Sequence, residues 1–246
     1  AGDTTETILN SLPSNISGNI TLCAKWDNKA ELIISIPEYT VETGKYYYTG
    51  QTVTIPDIST HPQISAIYTV PEGYKFIGFL ATAGCTTKYE YATNSSGYIT
   101  GISTTVTASN DLSNGLTITA DIRKILKVDI TMTASAKPGA IKKNFEINKI
   151  TVSSNSFYSK TGSDDWLISD GTTDIKQSTK GTQTFYLLEG STNITVTIES
   201  LSFAFHSPRD VKAPETTGCL TNDTKSPFTF TIKESNATIK WEEQQS

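Results

Sequence analysis

The chain has 246 residues, of which 36% are hydrophobic and 18% charged, so it can fill two ordinary domains with buried cores and lacks the composition of a disordered chain. Its formal net charge of -5 and its lack of a clustered Lys/Arg stripe argue against a nucleic-acid-binding protein. No stretch approaches the roughly 18 consecutive apolar residues of a membrane span, so we expect no such span in this chain.

A short helix is predicted at residues 4–11, TTETILNS, where Thr4 or Thr5 can cap the first turn and Pro13 ends it. After it, apolar and polar residues alternate in run after run, which is typical of strands. The predicted strands are residues 19–26, 30–37, 51–56, 64–70, 74–80, 116–122, 125–134, 148–154, 183–189, 193–200, 227–233 and 237–241. Turn signals such as Asn114-Gly115 separate them closely enough for hairpins. The sequence therefore predicts an all-β fold of antiparallel sheets.

Two domain boundaries are predicted, one near residues 27–30 and one near 123–126, where one strand ends and the next begins after a short linker. The domains are then residues 1–30, 31–125 and 126–246. The short strands of the last part predict a β-sandwich of immunoglobulin-like or related topology, although the Cys-Trp framework of true immunoglobulin domains is absent.

The stretch GYKFIGF, residues 73–79, has the pattern of a core strand around a glycine. With a period of two, Phe76 and Gly78 fall on one face and Phe79 on the other. We therefore expect Phe76 and Phe79 to be buried on opposite faces, and Gly78 to let a neighbour pack close to the backbone. A structural role is favoured over a ligand site here.

Residues 31–122 resemble one unit of the Listeria-Bacteroides repeat, also called the internalin B-repeat type, as a divergent member. The resemblance lies in GYKFIGF, in AGCTTKYEY at residues 83–91 and in the closing strand LTITADI at 116–122. GNITLCAKW at residues 18–26 resembles the closing strand of a preceding repeat, whose end would be residues 1–26. The resemblance implies a β-grasp-like repeat domain that serves spacing, adhesion or partner contact at the bacterial cell surface and carries no catalytic residues.

No catalytic motif is recognisable in the chain: there is no nucleophile elbow, no HExxH and no phosphate-binding glycine loop. His61 and His206 each lie close to a proline and are interpreted as structural or solvent-exposed. The cysteines Cys23, Cys85 and Cys219 are far apart in sequence and form no CxxC motif. We expect buried or idle thiols, with Cys85 structural and unpaired; a single long-range disulfide and a catalytic thiol are the alternatives.

An acidic loop, SDDWLISDGTTD at residues 163–174, is the candidate metal site. Asp164, Asp165, Asp170 and Asp174 are able to offer oxygen ligands to a hard cation such as Ca²⁺, around Trp166, whose ring we expect to be exposed. The loop lacks the ligand spacing and closing glutamate of an EF-hand, so an ordinary acidic turn is the favoured alternative.

The run KYYYTG, residues 45–50, is the candidate ligand surface. On a strand, Tyr46 and Tyr48 share one face and Tyr47 takes the other, so at least one ring should be partly exposed. Tyr47 and Trp166 are therefore the candidate ligand contacts, and packing in the core or at a sheet edge is the favoured alternative for the tyrosines.

Taken together, the sequence predicts a non-enzymatic, secreted or surface-displayed bacterial protein that needs no cofactor. It would act as an adhesion, binding or spacer module whose partner is a protein or glycan of a host or neighbouring cell. The alternative is a carbohydrate-binding module or a fragment of a carbohydrate-active enzyme, which the tyrosine run at residues 45–50 and Trp166 suggest. A glycosidase needs only two carboxylates, and the 25 acidic residues do not exclude one.

Overall fold

The computed structural model describes residues 28–135, 145–172, 181–190, 194–203 and 213–244, and all elements within these ranges are strands joined by turns. The predicted all-β fold is confirmed. The helix predicted at residues 4–11 and the strand at 19–26 lie outside the described residues.

The first half of the chain contributes seven strands. They are β1 (Lys29–Ile36), β2 (Tyr39–Tyr48), β3 (Thr52–Pro56), β4 (Tyr74–Ala83), β5 (Cys85–Thr93), β6 (Ile99–Ala108) and β7 (Leu116–Ser135). In one layer, β2, β1, β7 and β4 lie side by side, with β1 parallel to β7 in the centre. The sheet β3-β6-β5 faces this layer across the first core.

The second half of the chain adds nine further described strands. They are β8 (Phe145–Val152), β9 (Phe157–Ser159), β10 (Leu167–Ile168), β11 (Gly181–Leu188), β12 (Ile194–Phe203), β13 (Glu215–Thr217), β14 (Cys219–Leu220), β15 (Phe228–Ile232) and β16 (Ala237–Gln244). β7 pairs with β11 and β16 here, and the sheet β14-β15-β12-β8 contributes to the same second core. The arrangement is sandwich-like, as the short strands predicted.

The expected purely antiparallel pairing is wrong at two places. β1 and β16 both run parallel to β7, whereas the other described pairings are antiparallel. Several strands separate β1 from β7 in the sequence, and several separate β7 from β16. Neither pair is a hairpin, which would force the two strands to run antiparallel, so a parallel pairing is possible.

β7 is one continuous strand of 20 residues, not the two strands with a short linker that the sequence predicted. Lys124 still pairs with Tyr74 of β4, and the next residue, Ile125, pairs with Leu188 of β11. The polar pair Arg123-Lys124 looks like a linker because burial at alternate positions lapses there: Lys124 is exposed, and full burial returns only at Leu126. The backbone pairing nevertheless continues across it. The strand therefore exchanges its partners without ending.

Residues 64–70 do not form the predicted strand; residues 64–68 belong to a turn segment, residues 57–68, between β3 and β4. The Ser65 amide donates to the His61 carbonyl at 3.0 Å and the Tyr68 amide to the Ile64 carbonyl at 2.9 Å, which is a helical pattern of bonds. Asp57 opens the segment by accepting from the Ser59 amide at 2.8 Å. The buried residues Ile58, His61 and Ile64 are spaced by three, close to the helical period. The strand prediction was wrong because it assumed a period of two.

β5 and β6 were not predicted, because threonine and serine hide their alternation. In β6 the inward positions Ile102, Thr104, Val106 and Ala108 are all buried, although one of them is polar. The Thr104 hydroxyl accepts from the Phe79 amide at 3.0 Å, which satisfies both groups inside the core.

Phe76 and Phe79 are both buried, as predicted, but they do not lie on opposite faces. Their ring centroids are 4.9 Å apart in an edge-to-face contact. A β-bulge explains the difference: Phe76 pairs with Ile122 and Gly78 with Asp121, so Ile77 is an extra residue and the alternation shifts by one.

Gly78 allows the close approach that the sequence predicted, and the neighbour is Tyr89 of β5. With a φ of +145°, a Cβ at Gly78 would lie 2.8 Å from Cδ1 of the Tyr89 ring. The Tyr89 hydroxyl donates to Asp121 Oδ2 at 2.8 Å, and Arg123 forms an ion pair with the same oxygen at 2.9 Å. These interactions hold the ring over the glycine, which is why the position requires a residue without a side chain.

Candidate functional site

The carboxylates of the acidic loop accept hydrogen bonds from residues close by in the sequence. Asp165 accepts hydrogen bonds from the Ser159 hydroxyl, from the Thr161 hydroxyl at 2.7 Å and from the Lys160 amide at 3.1 Å. Asp170 accepts from the Thr172 amide at 2.8 Å. Both carboxylates therefore act as turn acceptors.

The pKa values of these aspartates follow from the same contacts. Burial on its own would raise the pKa of Asp165, but the hydrogen bonds from Ser159 and Thr161 outweigh it and hold the pKa below its usual value. Hydrogen bonds from Thr172 lower the pKa of Asp170. Within the described ranges, no three His, Cys, Asp or Glu side chains are gathered closely enough to hold a metal ion. Asp164 therefore joins no such group, and Asp174 lies outside the described residues.

The expected exposure of Trp166 is wrong, because only 1% of this residue is exposed. Although Trp166 comes from the second half of the chain, its ring belongs to the core cluster of the first unit. Its carbonyl accepts from the Ile99 amide at 2.8 Å, and Lys75 Nζ lies 5.8 Å from the ring centroid. The flanking aspartates suggested an exposed loop, but the ring fills the seam between the two units.

Phe157 of β9 reinforces this seam. Its ring is buried in the same cluster and lies 5.6 Å from the Tyr91 ring of β5, in an edge-to-face orientation. Trp166 and Phe157 thus anchor the second unit in the core of the first. Trp166 is not available as a ligand contact in this position.

The three tyrosines of β2 divide between two faces, as the sequence predicted. Tyr46 and Tyr48 are exposed, with 55% and 44% of their surfaces accessible. Tyr47 is half-buried against the first core and lines a cleft. Lys29 Nζ of β1 lies 5.1 Å from the Tyr46 ring centroid, so the outer face also carries a cation–π contact.

The cleft lies between β2, β3 and the turn segment and has a volume of about 420 Å³. β2 contributes Thr43, Lys45 and Tyr47, β3 contributes residues 53–56, and the turn segment contributes residues 61–63. Sequence reasoning selected Tyr47 but missed Lys45 and the turn residues. The helical spacing of the buried residues Ile58, His61 and Ile64 is the signal that marks His61 as inward-facing, whereas its place beside β2 is set by the tertiary fold.

His61 is the most unusual polar residue of this cleft. It is 9% exposed, and its buried Nδ1 has no hydrogen-bond partner among the described residues. Burial, and then the nearby positive charge of Lys45, lowers the pKa of His61. The imidazole is therefore mostly neutral at pH 7, and of the two positions expected for it, structural or solvent-exposed, it does not take the solvent-exposed one. His206 lies outside the described residues.

The described cysteines are free thiols. Cys219 is buried and Cys85 half-buried, and Cys23 lies outside the described residues. The Cys85 thiol donates to the Thr117 carbonyl at 3.5 Å. Burial raises the pKa of Cys85, and it raises the pKa of Cys219 to about 11. A thiol with a raised pKa is a poor nucleophile, because the thiolate is the reactive form.

Alkylation of the native protein at pH 8 should therefore leave Cys219 unmodified. A pKa raised from 9.0 to about 11 lowers the thiolate fraction, by about a hundredfold at this pH. Because the folded pKa is the higher one, the stability that this thiol contributes is complete below pH 9.0 and is lost as the pH rises towards about 11. Intact mass and peptide mapping after alkylation, native and denatured, provide the measurement; a bridge from Cys85 to Cys23 or Cys219 would contradict the unpaired assignment.

Comparisons with protein-family models and with curated proteins found no match to this chain. Among the described residues, no helix is long and apolar enough to cross a membrane. The functional interpretation of the seam and the cleft therefore rests on their geometry.

Proposed function

We propose that this chain is a non-enzymatic adhesion, binding or spacer module of a bacterial cell-surface or secreted protein, and a divergent member of the Listeria-Bacteroides repeat family. The observation that carries the proposal is the joint between its two units. β7 passes through both sheets without a break, and Trp166 of the second unit is buried in the first. A spacer needs such a joint, because a flexible linker would not hold a fixed separation.

The topology of the first unit supports the repeat assignment. Its sheet has the order β2-β1-β7-β4, with the parallel pair β1 and β7 in the centre. This order is consistent with the β-grasp-like fold that the resemblance implies. The motif residues Phe76, Phe79 and Tyr89 lie in its core, as expected of residues that recur for structural reasons.

Two tyrosines with raised pKa values, Tyr89 and Tyr91, make structural contacts, and this supports a non-enzymatic role. Burial, and then the hydrogen bond to Asp121, raises the pKa of Tyr89, and burial also raises the pKa of Tyr91. The Tyr91 hydroxyl donates to the Ile77 carbonyl at 2.9 Å, while Tyr89 donates to Asp121. Both hydroxyls are thus engaged in hydrogen bonds within the protein, so structural contacts account for these perturbed pKa values.

Distance measurements between the two units test the spacer role. Tyr46 of β2 and Leu220 of β14 are each 55% exposed, so a spin-labelled cysteine at either position should be tolerated. We expect pulsed electron paramagnetic resonance to give one narrow distance distribution. A broad distribution that spans many ångströms would show independently moving units and would contradict the proposal.

The alternative role, a carbohydrate-binding module or a fragment of a carbohydrate-active enzyme, is favoured by the exposed rings of Tyr46 and Tyr48. A glycan array combined with a turnover assay on common polysaccharides separates an enzyme fragment from a non-enzymatic module. Reproducible turnover would establish an enzyme, whereas binding without turnover agrees with the non-enzymatic proposal.

A further inference from the structure

The cleft beside β2 has a lining suited to a negatively charged ligand. Its lining residues include Lys45 and His61 but no aspartate or glutamate, in a chain whose net charge is -5. Lys45 is exposed and forms no ion pair with any described residue. Its ammonium group is therefore available to a carboxylate that enters the cleft.

The other walls of the cleft fit a sugar ring. Tyr47 offers an aromatic surface, and Pro56 and Pro62 add apolar surface, against which the C–H face of a pyranose can pack. Two neutral polar groups lie at the same cleft. The Thr43 hydroxyl already donates to the Leu32 carbonyl at 2.8 Å. The Gln63 side-chain nitrogen donates to the Glu42 carbonyl at 3.4 Å, which leaves the Gln63 Oε1 atom as the acceptor for a ligand hydroxyl. A mostly apolar site with few polar groups is the usual composition of a small-molecule site, and about 420 Å³ lies within the usual size range for one.

His61 is a second, independent indication of a ligand. Leaving a buried imidazole nitrogen without a hydrogen bond costs stability, so such groups are uncommon in folded proteins. Nδ1 of His61 is in this condition, and the residue lines the cleft. Because the nitrogen itself is closed off from solvent, the imidazole ring must turn towards the cleft before a ligand hydroxyl can form the hydrogen bond that the described part of the protein does not provide.

We propose that this cleft binds a carboxylate-bearing sugar, a uronic acid residue of a glycan. Lys45 pairs with the carboxylate, Tyr47 packs against the ring, and His61 and Gln63 bond to its hydroxyls. The proposal specifies the ligand class for the binding role proposed above and rests on that role. The cleft is a different part of the molecule from the seam, so the sugar-binding proposal and the spacer proposal are tested separately.

Two probes that differ only in the group at C6 provide the test. Methyl β-glucuronide carries a carboxylate there and methyl β-glucoside a neutral hydroxymethyl group. Titration of the full ¹⁵N-labelled chain should give saturable amide shifts around Lys45, Tyr47 and His61. We expect the glucuronide to bind about tenfold more tightly than the glucoside, as one charge-assisted interaction allows.

Charge variants then assign the effect to Lys45. Lys45→Gln should abolish the preference for the glucuronide, Lys45→Arg should retain it, and Lys88→Gln on the exposed surface of β5 should leave it unchanged. Absence of saturable shifts at the cleft, equal affinity for both sugars, or equal effects of Lys45→Gln and Lys88→Gln would overturn the proposal. The comparison of the two sugars uses the unmodified protein and so does not depend on whether a variant folds. The spin-label distances are measured without sugar, so failure here leaves the spacer result intact.

Discussion

Replacing Phe79 with alanine is expected to lower the free energy of unfolding by about 3 to 5 kcal/mol, the usual cost of removing a buried aromatic ring. Phe79 is fully buried in the first core and its ring contacts Phe76 at 4.9 Å. A loss of this size is a large fraction of the roughly 5 to 15 kcal/mol that stabilises a domain. Chemical denaturation followed by circular dichroism provides the measurement.

The neighbouring residue supplies the control. Leu80 is next in the sequence but 49% exposed, so Leu80→Ala should cost far less than Phe79→Ala. A double-mutant cycle tests the bulge directly: rings in edge-to-face contact should couple by about 0.5 to 1.5 kcal/mol in the Phe76→Ala and Phe79→Ala pair. Strictly additive losses would instead indicate that the two rings lie on separate faces.

Trp166→Ala should be comparably destabilising, by about 3 to 5 kcal/mol, and should also weaken the joint between the units. The substitution leaves a cavity in the first core at the point where the second unit is anchored. We expect the single unfolding transition to broaden or split. Hydrogen exchange should show lost protection at the Ile99 amide, which donates to the Trp166 carbonyl.

Ile168→Ala is the matched control for the seam. Ile168 lies two residues further along the same segment, but its side chain is exposed, so its removal should change neither the midpoint nor the Ile99 exchange rate appreciably. A Trp166→Ala protein that unfolds in one transition at the wild-type midpoint would show that the seam does not couple the units.

Much of the strand content could be predicted because alternation with a period of two is a local property. It located the strands around Phe76, Phe185 and Phe228 to within a few residues. It also placed Tyr46 and Tyr48 on the face opposite Tyr47, and that division defines which ring lines the cleft. Local pattern was misleading at residues 64–70, where β-branched and aromatic residues follow a helical spacing.

The sequence by itself determined that the chain is all-β, that its aromatic motif is buried and that its tyrosines divide between two faces, because each of these follows from side chains within one segment. Only the tertiary structure decided that β7 serves both units, that a bulge brings Phe76 against Phe79, and that Trp166 fills the seam. Likewise, Lys45 and His61 meet at one cleft only because the turn segment folds back beside β2. Strand pairing and register join residues far apart in the chain, and the free energy that selects them comes from burial shared between segments, which no single segment displays.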